Sequence, residues 1–280
     1  MLLFSEAVSF TFKDRPSWKG KEKLAPGINT RHFLEYWGDG ECKDITRQVL
    51  KGFASFLEDT ERSDGTINRH LSQVHTVLLH CVQEEMLDIN LPVIPRRKEY
   101  QGRPHFFSKD QVDAICERTN RTSLKDLVRF ASLTGARSGE CLKVQVKDID
   151  LNDGLIYIGG RPDFNTKTGD WRTVPIHNHI VETLRRRTEG IPRDVCIFGD
   201  EWIDSRQVLK AFRRVTEPLG IEHHYVFHCL RHSFATWAIE DGVPIRVLMD
   251  LMGHKKIETT LRYAKVTDSA RKEAIASINV

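Results

Sequence analysis

No stretch of the 280-residue chain approaches the roughly 20 consecutive apolar residues that a helix needs to cross a bilayer, so a helical membrane protein is excluded. The six cysteines (Cys42, Cys81, Cys116, Cys141, Cys196 and Cys229) lie far apart with no Cys-x-x-Cys pair. That spacing offers neither a zinc ribbon nor a dithiol redox motif, and a chain of this length needs no disulfide framework, so reduced cysteines are expected. The first ten residues lack a basic leader, a sustained apolar run and a small-residue cleavage site; no secretory signal is expected, and the protein reads as cytoplasmic. Charge of one sign is scarce too. The net charge is +3, with 14 Lys+Arg against 14 Asp+Glu in residues 1–98 and 28 against 25 in residues 99–280. A surface for nucleic acid must therefore come from local placement of charge. Repeats and low-complexity tracts are absent.

What is present is enough chain for two globular units. From about Thr46, Val49, Phe53, Phe56 and Leu57 recur on one helical face. A second helix is predicted with Thr66 as its cap and with Ile67, Leu71, Val74, Leu78 and Val82 as its apolar stripe, running to about Met86. Residues 1–95 are thus a helical unit. The segment Asn90 to Pro104 holds Pro92, Pro95, Gly102 and Pro104 with the basic Arg96, Arg97, Lys98 and Arg103, which is poor material for helix or strand; residues 96–106 read as a basic interdomain linker. Ser108 and Gln111 then have capping-box spacing, flanked by Phe107 and Val112 as a hydrophobic staple. A second domain, 107–280, opens with a helix near Lys109.

In that domain Leu127, Phe130 and Leu133 suggest a helix. Asp150 to Ile158 reads as strand turning at Asn152, Asp153 and Gly154, and a second hairpin is expected over Lys167 to Ile176 with Thr168, Gly169 and Asp170 as its turn. Helices return around Ser205 to Val215, His228 to Ile239, and Pro244 to Met252, the last stopped by Gly253. The predicted fold is mainly α with a small antiparallel β-sheet.

Three segments carry chemistry. In Thr134-Gly-Ala-Arg-Ser-Gly-Glu140, Arg137 stands at a helix start framed by glycines that let backbone approach a ligand; alone it is equally a surface salt-bridge partner. Residues His223 to His232 crowd four histidines and an arginine into ten positions. On a continuous helix His224, His228 and His232 would share a face, which is a zinc-like arrangement without a nearby carboxylate to complete it. Alternatively His228 and Arg231, three apart at a helix opening, address one anion together, because a guanidinium fork matches two phosphate oxygens. His232, beside Phe234 and Trp237, then reads as a buried, hydrogen-bonded structural histidine. In the third segment a glycine stop places His254 just beyond a helix end, and a short helix carries Tyr263 nine residues on; a lone tyrosine there would be a core or interface residue.

Together these segments resemble the tyrosine recombinase, or phage integrase, family. Its His-x-x-Arg signature appears as His228 and Arg231, its Gly-His then Tyr as Gly253, His254 and Tyr263, and its first arginine, within Thr-Gly-x-Arg-x-x-Glu, as Arg137. The resemblance points to Lys167 as the hairpin lysine of the site, in preference to Lys143 and Lys147. It extends to Thr66–Ser72, similar to a DNA-facing helix of the family's core-binding domain, and so covers essentially the whole chain. It implies a helical core-binding domain followed by a mixed α/β catalytic domain.

It also implies a site-specific recombinase that cuts and rejoins DNA through a 3′-phosphotyrosine, with Tyr263 as nucleophile. Arg137 and Arg231 would clamp the phosphate, His254 would add a donor, and His228 would assist the phenol's proton. Lys167 would protonate the departing 5′ oxygen, while Glu140 and His232 would support the site from behind. Neither a metal nor any other cofactor is implied, since the arginines supply the positive charge. The implied partner is a double-stranded DNA attachment site bound by a homotetramer in a bacterial host's cytoplasm, with DNA-bending accessory proteins and no membrane. Asn68, Arg69, His70, Arg96, Arg97 and Lys98 are the expected DNA contacts. The stretch before the first predicted helices is too short for the extra N-terminal arm-binding domain of many phage integrases, so that domain is expected to be either lacking or removed. Lys265 stands where histidine is common, and Thr267 to Val280 could dock on a neighbouring subunit. Two alternatives stay open: a monomeric type IB topoisomerase-like enzyme, and a non-catalytic DNA-binding regulator of the same fold.

Overall fold

A computed structural model describes residues 2–19, 22–99, 104–160, 164, 171–199 and 201–264. The chain divides into two compact units, Met1–Gln101 and Gly102–Val280. It is mainly helical with one small antiparallel sheet, and no helix among the described residues is long and apolar enough to cross a membrane.

Four helices build the first unit: α1 (Phe4–Asp14), α2 (Ala25–Trp37), α3 (Arg47–Asp59) and α4 (Asp64–Gln83). Thr46 caps α3 by accepting from the Val49 amide at 3.3 Å, and the amphipathic spacing of α3 buries Leu50, Phe53 and Leu57. The second helix differs from expectation at both ends. It begins at Asp64 rather than after Thr66, with Ser63 in the extended cap position, where the Asp64 carboxylate also complements the helix dipole. It ends at Gln83, because Glu85 turns left-handed at φ 57°. Its stripe includes Val77 and Cys81, while Val82 is only partly buried. Neither α1 nor α2 follows from the periodicity noted above, although Pro26 in the first turn of α2 is a recognised start signal. Phe4, Phe33 and Phe53 pack as edge-to-face pairs at the centre of this unit.

The second unit runs α5 (Lys109–Arg118), α6 (Thr122–Thr134), α7 (Ser138–Cys141), β1 (Ile149–Asp150), β2 (Leu155–Ile158), β3 (Arg172–Pro175), α8 (Val181–Thr188), α9 (Ser205–Thr216), α10 (Cys229–Glu240), α11 (Ile245–Met252) and α12 (Ile257–Leu261). The Ser108–Gln111 capping box forms as predicted, and Phe107 and Val112 are buried on either side of it. Strand order is β1-β2-β3, all antiparallel, with Ile156 opposite Val174 and Ile158 opposite Arg172. The first turn is the expected one: Asp150 Oδ1 accepts from the amides of Asn152 and Asp153, and Gly154 takes φ 67°. The return strand of the second expected hairpin is β3, paired with β2; Lys167 and the turn Thr168–Asp170 lie outside the described residues, as do Lys265 and the tail from Thr267.

Alternation along β3 puts Arg172 and Val174 on the buried face and Thr173 outward, so a guanidinium enters the interior beside the apolar core. Gly135 closes α6 at φ 64°, and a Cβ there would stand 2.6 Å from the Phe234 ring, so both conformation and space demand glycine.

Candidate active site

Arg231 organises the site. It lies in the first turn of α10 and is only 3% exposed. Nη1 donates to the Gly135 carbonyl at 2.5 Å and Nη2 to the Met252 carbonyl at 2.6 Å. These carbonyls close α6 and α11, two helix ends whose dipoles present negative charge to a cation. Burial, then the charges of Arg137 and Arg172, pull this arginine down to about 9, which leaves it charged at neutral pH.

Nη2 of Arg231 also lies 3.0 Å from His254 Nε2, while His254 Nδ1 lies 2.8 Å from Thr260 Oγ1. Because a guanidinium only donates, Nε2 must be the acceptor, and the imidazole hydrogen is on Nδ1, facing the fully buried Thr260. Burial followed by the surrounding arginines holds His254 down to about 4, so this ring is neutral at neutral pH. Gly253, at φ 62°, provides the reversal that sends His254 back toward Arg231.

The other arginine of the motif is the N-cap residue of α7. Its Nη1 donates to Glu140 Oε1 at 2.6 Å and its amide to Oε2 at 3.0 Å. Glu140 Oε2 also accepts from Arg172 Nη2 at 2.8 Å, and Arg172 Nε donates to the Leu251 carbonyl at 2.8 Å. Burial alone would raise the Glu140 carboxyl, but the charge and hydrogen bond of Arg172, then the bonds from Arg137, overcome it and hold the group at about 2. Three guanidiniums face one carboxylate, so the largely buried cluster keeps a net positive charge. Arg137 keeps about a quarter of its side chain exposed, so it is the arm that a ligand can reach.

Tyr263 stands two residues beyond α12, partly buried against Ala235, Leu248 and Met252. Its hydroxyl oxygen is 2.6 Å from His232 Nδ1. Burial raises the phenol's pKa, opposed by Arg231, Arg262 and Arg137, which sets those cations near it. His232 was expected to be a buried structural histidine; it is hydrogen-bonded but half-buried, and its partner is the phenol. His228, expected at the phenol, instead meets the His232 ring edge to face at 5.0 Å between centroids. Desolvation, then Arg231 and Arg137, lower its pKa, although the side chain still reaches the surface. The zinc arrangement of His224, His228 and His232 loses its basis, because α10 begins at Cys229 and no single helix carries all three. His224 turns to Glu222, 3.3 Å from its carboxylate.

The sequence profile of the phage integrase family matches residues 105–270. The chain belongs to that family. Relatives of this integrase-family chain include the tyrosine recombinase XerA of Saccharolobus solfataricus, 32% identical over 258 residues covering 89% of this chain and 84% of the relative. The tyrosine recombinase XerD of Oceanobacillus iheyensis is 26% identical, with 88% of each chain covered. Among solved structures, the Tn1549 transposon integrase in complex with transposon right end DNA gives a TM-score of 0.77 at 16% identity, covering 98% of this chain and 99% of that one. A lambda integrase dimer bound to a core site gives 0.74 at 18% identity, covering 95% and 98%. At such identities the solved structures speak for the fold. The family and its named relatives make the enzyme class plain: a tyrosine-type site-specific recombinase.

In this recombinase the pocket brings together Arg137, Glu140, His228, Arg231, His232, His254 and Tyr263. Sequence reasoning overlooked Arg172 and Thr260. Arg172 had a signal: an arginine two residues from Val174 in an alternating strand falls on the core face, where a buried charge needs a partner. Thr260 had none, since its contact with His254 exists only after the chain reverses at Gly253.

The expected DNA contacts divide. Asn68 and His70 are 5% and 4% exposed and turn inward. Asn68 Nδ2 donates to the Arg97 carbonyl at 2.9 Å and to Glu99 Oε1 at 2.8 Å, and its Oδ1 accepts from the Arg97 amide at 2.8 Å. His70 spends both ring nitrogens on His32 Nδ1 and the Thr66 carbonyl, each at 2.9 Å. These two residues are buried with their side-chain polar atoms bonded inside the first unit. Arg69, Arg96 and Lys98 are exposed. Arg97 pairs with Glu58 at 2.6 Å and, with Arg47, Lys51 and Arg96, lines an open basic groove of about 580 Å³ between α3 and residues 94–97.

Proposed function

We propose that this recombinase breaks one DNA strand at a time by attack of the Tyr263 phenol on a backbone phosphate. The products are a 3′-phosphotyrosine and a free 5′ hydroxyl, and a 5′ hydroxyl of a partner strand reverses the step. The ester conserves the bond, so no nucleotide is consumed. The observation that carries this reading is the meeting of Tyr263, through its 2.6 Å contact with His232, with the helix turn that also holds Arg231.

A phosphodiester carries one negative charge and its five-coordinate transition state approaches two, and the positive charge that Glu140 and the helix ends leave over on the three guanidiniums is placed to meet that increase. Electrostatic stabilisation of that kind is commonly the largest catalytic term. Arg137 and Arg231 would take the non-bridging oxygens. His228, three residues before Arg231, would add a donor on the phosphate. His254 would turn from accepting the Arg231 hydrogen bond to donating once the anion raises its pKa. Lys167 would protonate the 5′ oxygen that leaves. No metal ion enters the scheme, because guanidiniums occupy the place that metal ions take in other phosphoryl-transfer sites.

DNA is the partner of such an enzyme. For this chain Arg69, Arg96, Arg97 and Lys98, with the groove around Arg47 and Lys51, would hold its phosphates. Strand exchange between two sites calls for four active sites, hence a homotetramer on DNA, assisted by DNA-bending proteins in the cytoplasm of a bacterial host. The topoisomerase-like and non-catalytic alternatives find no support among the relatives.

The test is a nicked suicide substrate that traps the covalent adduct. Tyr263→Phe should shift DNA in a gel as the wild type does and form no adduct. Undiminished adduct would mean another nucleophile.

A further inference from the structure

The contact between Tyr263 and His232 assigns a proton. The two residues reach each other from different elements, His232 from the first turns of α10 and Tyr263 from beyond α12. At 2.6 Å their polar atoms are at the short end of hydrogen bonds made by hydroxyl groups. A neutral imidazole has one donor and one acceptor nitrogen, and a phenol has one hydrogen to give. Among the described residues His232 is the one hydrogen-bond partner of the phenol oxygen. Pointing the O–H at Nδ1 satisfies both groups and leaves the imidazole hydrogen on Nε2.

We propose that His232, rather than His228, accepts the Tyr263 proton as the phenol attacks phosphorus. The inference rests on Tyr263 being the nucleophile. In the cleavage step the phenolic O–H bond breaks, its proton moves to Nδ1, and the phenolic oxygen forms the new P–O bond. The bond from phosphorus to the 5′ oxygen breaks, and that oxygen takes its proton from Lys167. In rejoining, the 5′ hydroxyl returns its proton to Lys167 as it attacks, and the His232 imidazolium returns its own to the departing phenolate.

The surroundings keep the Nδ1 acceptor free of a proton at rest, and the anionic phosphate that enters during the reaction raises the imidazole toward the value a base needs. Around the pair stand His228, which caps α10, Arg231 from α10, Arg262 just past α12, His105 from the segment before α5, and Arg137 on the phenol's side. Burial, followed by His228 and these cations, holds His232 down to about 4. The ring is therefore neutral above about pH 5 and free to receive a proton. The phenol lies above its ordinary value, so transfer accompanies P–O bond formation and does not precede it. His228 meets His232 edge to face, and desolvation followed by the two arginines of the clamp lowers its pKa, which leaves it to the phosphate.

The experiment is single-turnover cleavage of a suicide substrate with a sulfur in place of the 5′ bridging oxygen. Sulfur leaves without a proton, so the pH profile reports on the phenol alone. Wild type should be flat from pH 6 to 9. His232→Asn can still accept the phenol's hydrogen bond but takes no proton; it should be about 100-fold slower at pH 7, within the usual range for loss of a general base. Its rate should climb about tenfold per pH unit as hydroxide takes over, with gel shifts unchanged. Tyr263→Phe failing to abolish the adduct would remove the premise and is scored separately. A His232→Asn enzyme with wild-type rate and a flat profile would overturn the proposal. So would hydroxide dependence in His228→Asn but not in His232→Asn. Should the variant not fold, a wild-type profile that itself rises tenfold per unit between pH 6 and 9 overturns it equally.

Discussion

Replacing Glu140 with glutamine tests how the clamp is held. The carboxylate is 5% exposed and accepts three hydrogen bonds, from Arg137 Nη1, the Arg137 amide and Arg172 Nη2, at 2.6, 3.0 and 2.8 Å. Its carboxyl sits at about 2 against 4.5 for an ordinary glutamate, a gap worth about 3 kcal/mol in the folded state. Breaking a buried ion pair by removing one partner costs about 3–5 kcal/mol. The two figures agree, and the lower one suits glutamine, which keeps an acceptor oxygen but aims an N–H₂ at a guanidinium. At roughly 2–4 °C per kcal/mol for a unit of this size, Glu140→Gln should lower its melting temperature by about 6–12 °C at pH 7, followed by circular dichroism.

Because the folded pKa is depressed, the contribution is complete above about pH 4.5 and is lost as pH falls toward 2. The gap between wild type and variant should therefore narrow over that window. Cleavage on the suicide substrate should fall at least about tenfold, as Arg137 loses its anchor. A variant that melts within 2 °C of wild type and cleaves normally would refute the claim that this carboxylate sets the position of the guanidiniums.

Gly135→Ala should destabilise by about 1–3 kcal/mol, from a non-glycine residue at φ 64° and a Cβ 2.6 Å from Phe234; a denaturant titration checks it, and an unchanged midpoint would contradict the geometry. Thr260→Val removes the acceptor for His254 Nδ1 while keeping shape, and should slow cleavage about tenfold with DNA affinity retained. Thr260→Ser should restore it, and full activity in the valine variant would show that the His254 tautomer is not set there.

What could be read without coordinates was what neighbours in sequence enforce. Ser108 and Gln111 cap a helix through atoms three residues apart, and Gly253 stops α11 wherever that helix packs. The spacing of His228 to Arg231 likewise survives any tertiary arrangement. What could not be read depends on partners distant in sequence. Asn68 looks like a recognition residue on a DNA-facing helix until residues 97–99 fold over it. His232 looks like a core histidine until Tyr263 arrives from 31 positions away. Lys167 remains placed by resemblance alone. The missed α1 and α2 are helices with mixed β-branched and aromatic content, whose burial comes from one another, from α3 and from α4 and not from a clean stripe of their own.

Helix ends explain why buried arginines are tolerable here before any phosphate is bound. Arg231 meets the last carbonyls of α6 and α11, and Arg172 meets the Leu251 carbonyl of the same α11 terminus. Each such terminus carries unsatisfied acceptors and roughly half a negative charge. Two termini and one carboxylate thus offset much, but not all, of three guanidinium charges. A fully neutralised clamp would hold the arginines firmly and offer a phosphate little; an uncompensated one would not stay buried. The residual charge lies toward Arg137, the most exposed of the three guanidiniums, so an entering phosphate meets the unspent part of the cluster first while Arg231 is already aligned behind it.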